Sequence, residues 1–109
     1  MGQSAIKLIS VKDVEKYMSD PGTVFADLRD REDFEEKHIG RAFCLPVRKI
    51  ENRSYCLARE YHYILYCDHG GASMQGALLL QNAGFDVSSL AGGIYEYSIY
   101  EKQHGNEKM

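Results

Sequence analysis

The stretch ILYCDHGGAS, residues 64–73, decides how this chain is read. An apolar run rich in β-branched and aromatic residues ends in a cysteine, and two adjacent glycines and a serine lead into a helix-forming run. An uninterrupted apolar run of this kind is the pattern of a strand buried on both faces. The run begins at Tyr61, so YHYILYC is the clearest strand in the sequence. Downstream, Ser73 is placed to cap a helix over MQGALLLQNA, and Gly84 to end it in a left-handed turn.

Working outward, AIKLI (5–9), TVFADL (23–28), AFCLPV (42–47) and FDVSSL (85–90) read as further strands, the third stopped by Pro46. Helical spacing of Val11, Val14 and Met18 follows an N-cap signal at Ser10 with Asp13, and Asp30 with Asp33 opens a second short helix, REDFEEKH. DPG (20–22) is a turn, and AGG (91–93) is a turn before a last helix, IYEYSIYEK. Between Val47 and Glu60 the pattern supports a connecting segment with one helical turn. Strands alternate with helices, which predicts an α/β domain with a mainly parallel central sheet flanked by helices on both faces. The domain is expected over residues 1–102, with QHGNEKM (103–109) as a frayed polar tail.

In such sheets, ligands bind beyond the carboxyl ends of the strands, and Cys67 lies at such an end. Gly70 and Gly71 allow consecutive backbone N–H groups to turn inward, a concave arrangement that binds anions. The positive end of the following helix dipole acts in the same sense. A thiolate is an anion, so this loop favours a reactive Cys67 and readies it for a negatively charged partner. A small buried cysteine beside an ordinary turn is the alternative, but strand end, glycine pair and capped helix occur here together. Anion binding, thiol transfer and phosphate-ester chemistry all fit the pattern.

The totals narrow the field. The 109 residues suit one domain, and 44% hydrophobic with 27% charged residues is ordinary for a globular chain. A net charge of −3 and the lack of a basic run argue against a nucleic-acid partner; Arg48, Lys49 and Arg53 are diluted by Glu51. No apolar run approaches a membrane span, no signal peptide is expected, and Ile6 stands where a myristoylation signal needs Ser or Thr. Cys44, Cys56 and Cys67 make an odd count, which favours free thiols in a reducing, cytoplasmic setting. They include no closely spaced pair, so no metal site is expected.

Four separated stretches carry a family likeness. DLRDREDFEEKHIGRA (27–42) resembles an early Asp-hydrophobic-Arg signature followed by a Glu-rich and then a His-Ile-x-x-Ala segment, and Pro46 falls where the next strand usually ends. YCDHGGAS (66–73) resembles an active-site loop, and LAGGIYEY (90–97) a Leu-x-Gly-Gly segment with Tyr97 where tryptophan is usual. Together they resemble the single-domain rhodaneses, a sulfurtransferase family. The resemblance implies a cycle through a persulfide on Cys67, with Asp68, His69, Gly70, Gly71, Ala72 and Ser73 as the substrate- and anion-binding loop. It implies no metal or organic cofactor. The partners would be a small sulfur donor, thiosulfate or a persulfide, and cyanide, a thiol or a protein as acceptor.

Two positions depart from the pattern. Ala72 stands where many active rhodaneses carry a cation, and Asp68 puts a negative charge where thiosulfate would approach. His69 can supply compensating charge or a hydrogen bond. Asp27 and Arg29 are expected near the rim as an ion pair pinning the loop, His38 as a structural hydrogen-bonder, and Tyr66 pointing to the other side of its strand. A related phosphatase reading lacks the arginine needed to clamp phosphate oxygens at the loop's end. The rival reading is a non-catalytic module that binds a partner, carries sulfur or senses redox state through Cys67. Cys44 or Cys56 would matter there as a resolving thiol, but both are expected to be buried fillers. The sequence shows no decisive association surface, so it leaves the oligomeric state open.

Overall fold

The computed structural model describes residues 5–105. Five strands form one sheet: β1 (Lys7–Ile9), β2 (Thr23–Asp27), β3 (Phe43–Cys44), β4 (His62–Tyr66) and β5 (Asp86–Leu90). Their order is β1-β5-β4-β2-β3, and every neighbouring pair runs parallel. The helices are α1 (Val14–Met18), α2 (Arg31–Glu36), α3 (Val47–Glu51), α4 (Gly71–Asn82) and α5 (Gly93–His104), with a 3-10 turn over Val11–Asp13 leading into α1. Parallel strands need crossovers, and these helices supply them on both faces.

β4 is central and explains the apolar run. Tyr63, Leu65 and the following Cys67 enter one core with Leu28, Ile50, Ala77 and Leu80 under α3 and α4. Ile64 and Tyr66 enter the opposite core with Val14, Phe25 and Ile94 under α1 and α5. Alternation along the strand therefore feeds both cores at once.

The elements differ from the sequence expectation at their ends. β3 is only Phe43–Cys44, because Pro46 has no N–H to give the ladder and instead occupies the N-cap of α3 at φ −52°. The single helical turn expected after Val47 is α3 itself. Ser10 does cap, accepting from the Lys12 N–H at 3.2 Å, but it caps the 3-10 turn rather than α1. Asp30 holds the N-cap place of α2 through its carbonyl, which accepts from the Phe34 N–H at 3.0 Å, and not through its side chain. Gly84 leaves α4 at φ +95° as expected. The last helix runs through Gln103 and His104, past the expected boundary at Lys102. Gly105 caps that helix, and the remainder of the expected tail, residues 106–109, lies outside the described residues.

Candidate active site

β4 delivers Cys67 to the carboxyl edge of the sheet, where its side chain is 7% exposed. Two backbone amides converge on Sγ: Gly70 N–H at 3.1 Å and Ser73 N–H at 3.4 Å. The first depends on Gly70 standing at φ +115°, a left-handed conformation open to glycine and strained for other residues. The second comes from the first turn of α4, where amides have no partner inside the helix. Negative charge on this sulfur is thus met by N–H dipoles and the positive helix end, without any charged side chain.

The loop chemistry differs in two details from the expectation. Gly70, not Ser73, is the N-cap of α4, and the helix begins at Gly71. Ser73 is fully buried inside the first turn, where its hydroxyl donates to the Gly70 carbonyl at 3.1 Å and pairs with Ser89 Oγ at 2.7 Å. Only one glycine of the pair takes a positive φ; a Cβ on Gly71 would meet nothing within 4 Å. Ala72 is half-buried against the α4-side core, so no cation occupies that place in the loop.

A second clamp acts from the far side. The amide of Ile94 donates to the Cys67 carbonyl at 2.9 Å, and that of Tyr95 to the Asp68 carbonyl at 3.0 Å. The start of α5 can come this close because residue 93 is glycine, at φ +63°. A Cβ there would sit 2.5 Å from both carbonyl oxygens. These amides were not foreseen from the sequence; the adjacent Gly92 and Gly93 were their visible trace.

Beside this loop stands a charged brace. Asp27 is fully buried, and its carboxylate accepts from Arg29 Nε at 3.0 Å, Nη2 at 2.9 Å and the Arg29 amide at 2.9 Å. Hydrogen bonding to Asp27 pushes the guanidinium further up from its ordinary value. Nη2 also donates to the Lys37 carbonyl, while Nη1 faces Asp68 Oδ1 at 4.0 Å. Tyr66 faces away from the Cys67 side, as expected, yet it belongs to this brace. Its phenol oxygen accepts from the Ile39 N–H at 3.0 Å and shares a hydrogen bond with Asp27. Burial, above all, pushes the Tyr66 phenol far up.

The remaining candidates sort by geometry. His38 Nδ1 donates to the Phe34 carbonyl at 2.8 Å and its ring stacks on Phe34 at 4.0 Å between centroids, so its role is structural. His69 is exposed and its ring leans on Tyr95, centroids 4.9 Å apart. Cys44 Sγ turns to the Arg29 carbonyl at 3.7 Å, and burial pushes its thiol up. Cys56 is exposed and Cys44 half-buried, so neither is the buried filler expected, and all three cysteines are free. Among the described residues, no group of metal-ligating side chains is gathered, and no helix is long and apolar enough to cross a membrane.

Comparison with known proteins places this arrangement. A model of the rhodanese-like domain matches residues 10–99. A thiosulfate sulfurtransferase GlpE of Coxiella burnetii is 36% identical over 78 residues, which span 71% of this chain and 73% of that protein. A tRNA sulfurtransferase of Edwardsiella ictaluri is 33% identical over 88 residues, 77% of this chain but 18% of that larger protein. Among solved structures, a rhodanese-related protein from Thermoplasma volcanium shares the fold with a TM-score of 0.78 at 19% identity, covering 86% of this chain and 92% of that one.

Proposed function

The chain belongs to the rhodanese-like family and is a rhodanese-type sulfurtransferase, and from that premise we propose that it moves sulfane sulfur through a persulfide on Cys67. The observation that carries this reading is the pair of amides, Gly70 and Ser73, aimed at Cys67 Sγ.

In the first half-reaction the Cys67 thiolate attacks the outer sulfur of a donor. A bond forms between Sγ and that sulfur, the donor's S–S bond breaks, and the leaving group departs with the electron pair. Thiosulfate would leave as sulfite and a persulfide as the parent thiol or thiolate. In the second half-reaction a thiol, cyanide or a nucleophilic group on a protein attacks the outer sulfur and returns Cys67 to the thiolate. The persulfide is anionic, so the amides that hold the thiolate also serve the extended sulfur, in the manner of an oxyanion hole. The chemistry needs no metal or organic cofactor. Three free thiols fit a reducing, cytoplasmic setting, and residues 1–102 with the end of α5 are proposed to act as one domain.

Redox sensing by an internal disulfide has less support. Cys44 pairs in register with Asp27, and Asp27 with Tyr66, so Cys44 sits two strands from the β4 end. Its sulfur shares the face of Asp27 rather than that of Cys67.

The test is intact mass before and after exposure to thiosulfate or a small-molecule persulfide, beside Cys67→Ser. The expected result is a gain of one sulfur that cyanide removes and the variant lacks. No gain from either donor, in folded protein with a free Cys67 thiol, overturns the reading.

A further inference from the structure

The residue after the nucleophile brings a negative charge to the mouth of the site, and the fold holds it there. The Asp68 carbonyl is tied to the Tyr95 amide at 3.0 Å, so the backbone cannot swing the side chain away. The carboxylate is 68% exposed and faces Arg29 Nη1 at 4.0 Å. That cation is already engaged: Nε and Nη2 are committed to Asp27, which is fully buried and lies 2.9 Å from Nη2. One guanidinium between two carboxylates leaves the Asp27–Arg29–Asp68 group one negative charge in excess. Glu96, exposed in the first turn of α5, adds a carboxylate at the same end, and Ala72 offers no cation in return.

We propose that Asp68, positioned by Arg29 and the Tyr95 amide, is a specificity residue that selects sulfur donors by charge. The site is thereby turned from dianionic thiosulfate toward persulfides, R–S–SH. This rests on the Cys67 persulfide cycle proposed above. With a persulfide donor the balance is Cys67–S⁻ + R–S–SH → Cys67–S–SH + R–S⁻. The Sγ–S bond forms, the R–S–S bond breaks, and the released thiolate carries the electron pair. No dianion passes Asp68 on entry or exit, whereas thiosulfate brings two charges in and sulfite takes two out.

The experiment measures the rate of Cys67 sulfur loading with thiosulfate and with the persulfide of 2-mercaptoethanol, which has no charged group besides its sulfur. The proteins are wild type, Asp68→Asn and Asp68→Glu. Loading by thiosulfate is expected to rise about tenfold in Asp68→Asn at low ionic strength, from the Coulomb repulsion lost between the one charge removed and the two on thiosulfate in wet surroundings. Loading by the persulfide is expected to change less than about twofold on the same grounds. Asp68→Glu keeps the charge and should keep thiosulfate slow. Added salt should speed thiosulfate loading of the wild type more than that of Asp68→Asn, because screening acts on the like-charge repulsion and Glu96 keeps part of it in the variant. A parallel change with both donors, or no change with thiosulfate, overturns the filter while the persulfide cycle stands. No loading of any folded variant by either donor overturns the cycle itself.

Discussion

The loops that leave the carboxyl ends of β2 and β4 are neighbours in the sheet but are held by different means. After β2, Asp27, Arg29 and Tyr66 form a buried side-chain brace. After β4, four backbone amides do the holding: Gly70 and Ser73 reach the Cys67 sulfur, and Ile94 and Tyr95 reach the loop carbonyls. An ion pair in low dielectric is stiff but neutralises its own charge, so it has little left for a substrate. Amides around a sulfur keep a net pull on negative charge and occupy little space. On the proposed cycle, the brace supplies rigidity and the amides supply chemistry.

Asp27→Ala strikes the brace and should have the largest effect. It strands the Arg29 guanidinium, 10% exposed, at a cost of about 3–5 kcal/mol. Denaturant melts measure this, and the fraction that stays folded should still load sulfur on Cys67. Gly93→Ala strikes the amide-held loop. Its methyl group would meet the Cys67 and Asp68 carbonyls, and its positive φ suits only glycine, so a loss of about 2–3 kcal/mol is expected. Here the loading rate should collapse even in the folded fraction. If the two variants lose activity in the same proportion to stability, the division between brace and chemistry is wrong.

Tyr66→Phe tests the brace more gently. It leaves the buried Ile39 amide without its acceptor, at a cost of about 1–2 kcal/mol. It also carries a pH signature. The native phenol is raised above the ordinary 10.0, so above that pH the unfolded chain loses a proton that the native protein keeps. The native state then binds more protons, and stability falls as pH rises. Melts between pH 9 and 11 should show a shallower decline for Tyr66→Phe than for the wild type. The smallest effect belongs to Gly71→Ala, which should stabilise by about 0.4–1 kcal/mol because the site is helical and has room for a methyl group. Sulfur loading should be unchanged. A loss there would mean that both glycines of the pair are needed.

Much of this arrangement is legible in the sequence itself. The buried run ending at Cys67 predicted the central strand, because a strand feeding two cores must be apolar on both sides. The glycine pair after it predicted amides turned toward a thiol. What escaped was the division of labour within short segments. Ser73 has the composition of an N-cap, but the left-handed Gly70 starts the helix earlier and leaves the serine buried against Ser89. Asp30 resembles a cap for the same reason and serves only through its carbonyl. Strand alternation predicts that Tyr66 faces away from Cys67, but its bond to Asp27 joins residues 39 positions apart, a pairing set by strand register rather than by local pattern. The clamp from Ile94 and Tyr95 was hidden for a related reason: backbone amides leave no trace in side-chain identity, and only the glycines that admit them are visible.

That clamp also bears on how the protein is made. Cys67 belongs to the middle of the chain, yet the amides that close its loop come from α5, the last helix described. During synthesis the thiol emerges long before its setting is complete. A ribosome-bound fragment ending at α4 would carry Cys67 with only half of its cradle, and sulfur chemistry would await the arrival of residues 93–95. On the cycle proposed above, the site is thus complete only once α5 has packed against the loop that carries Cys67.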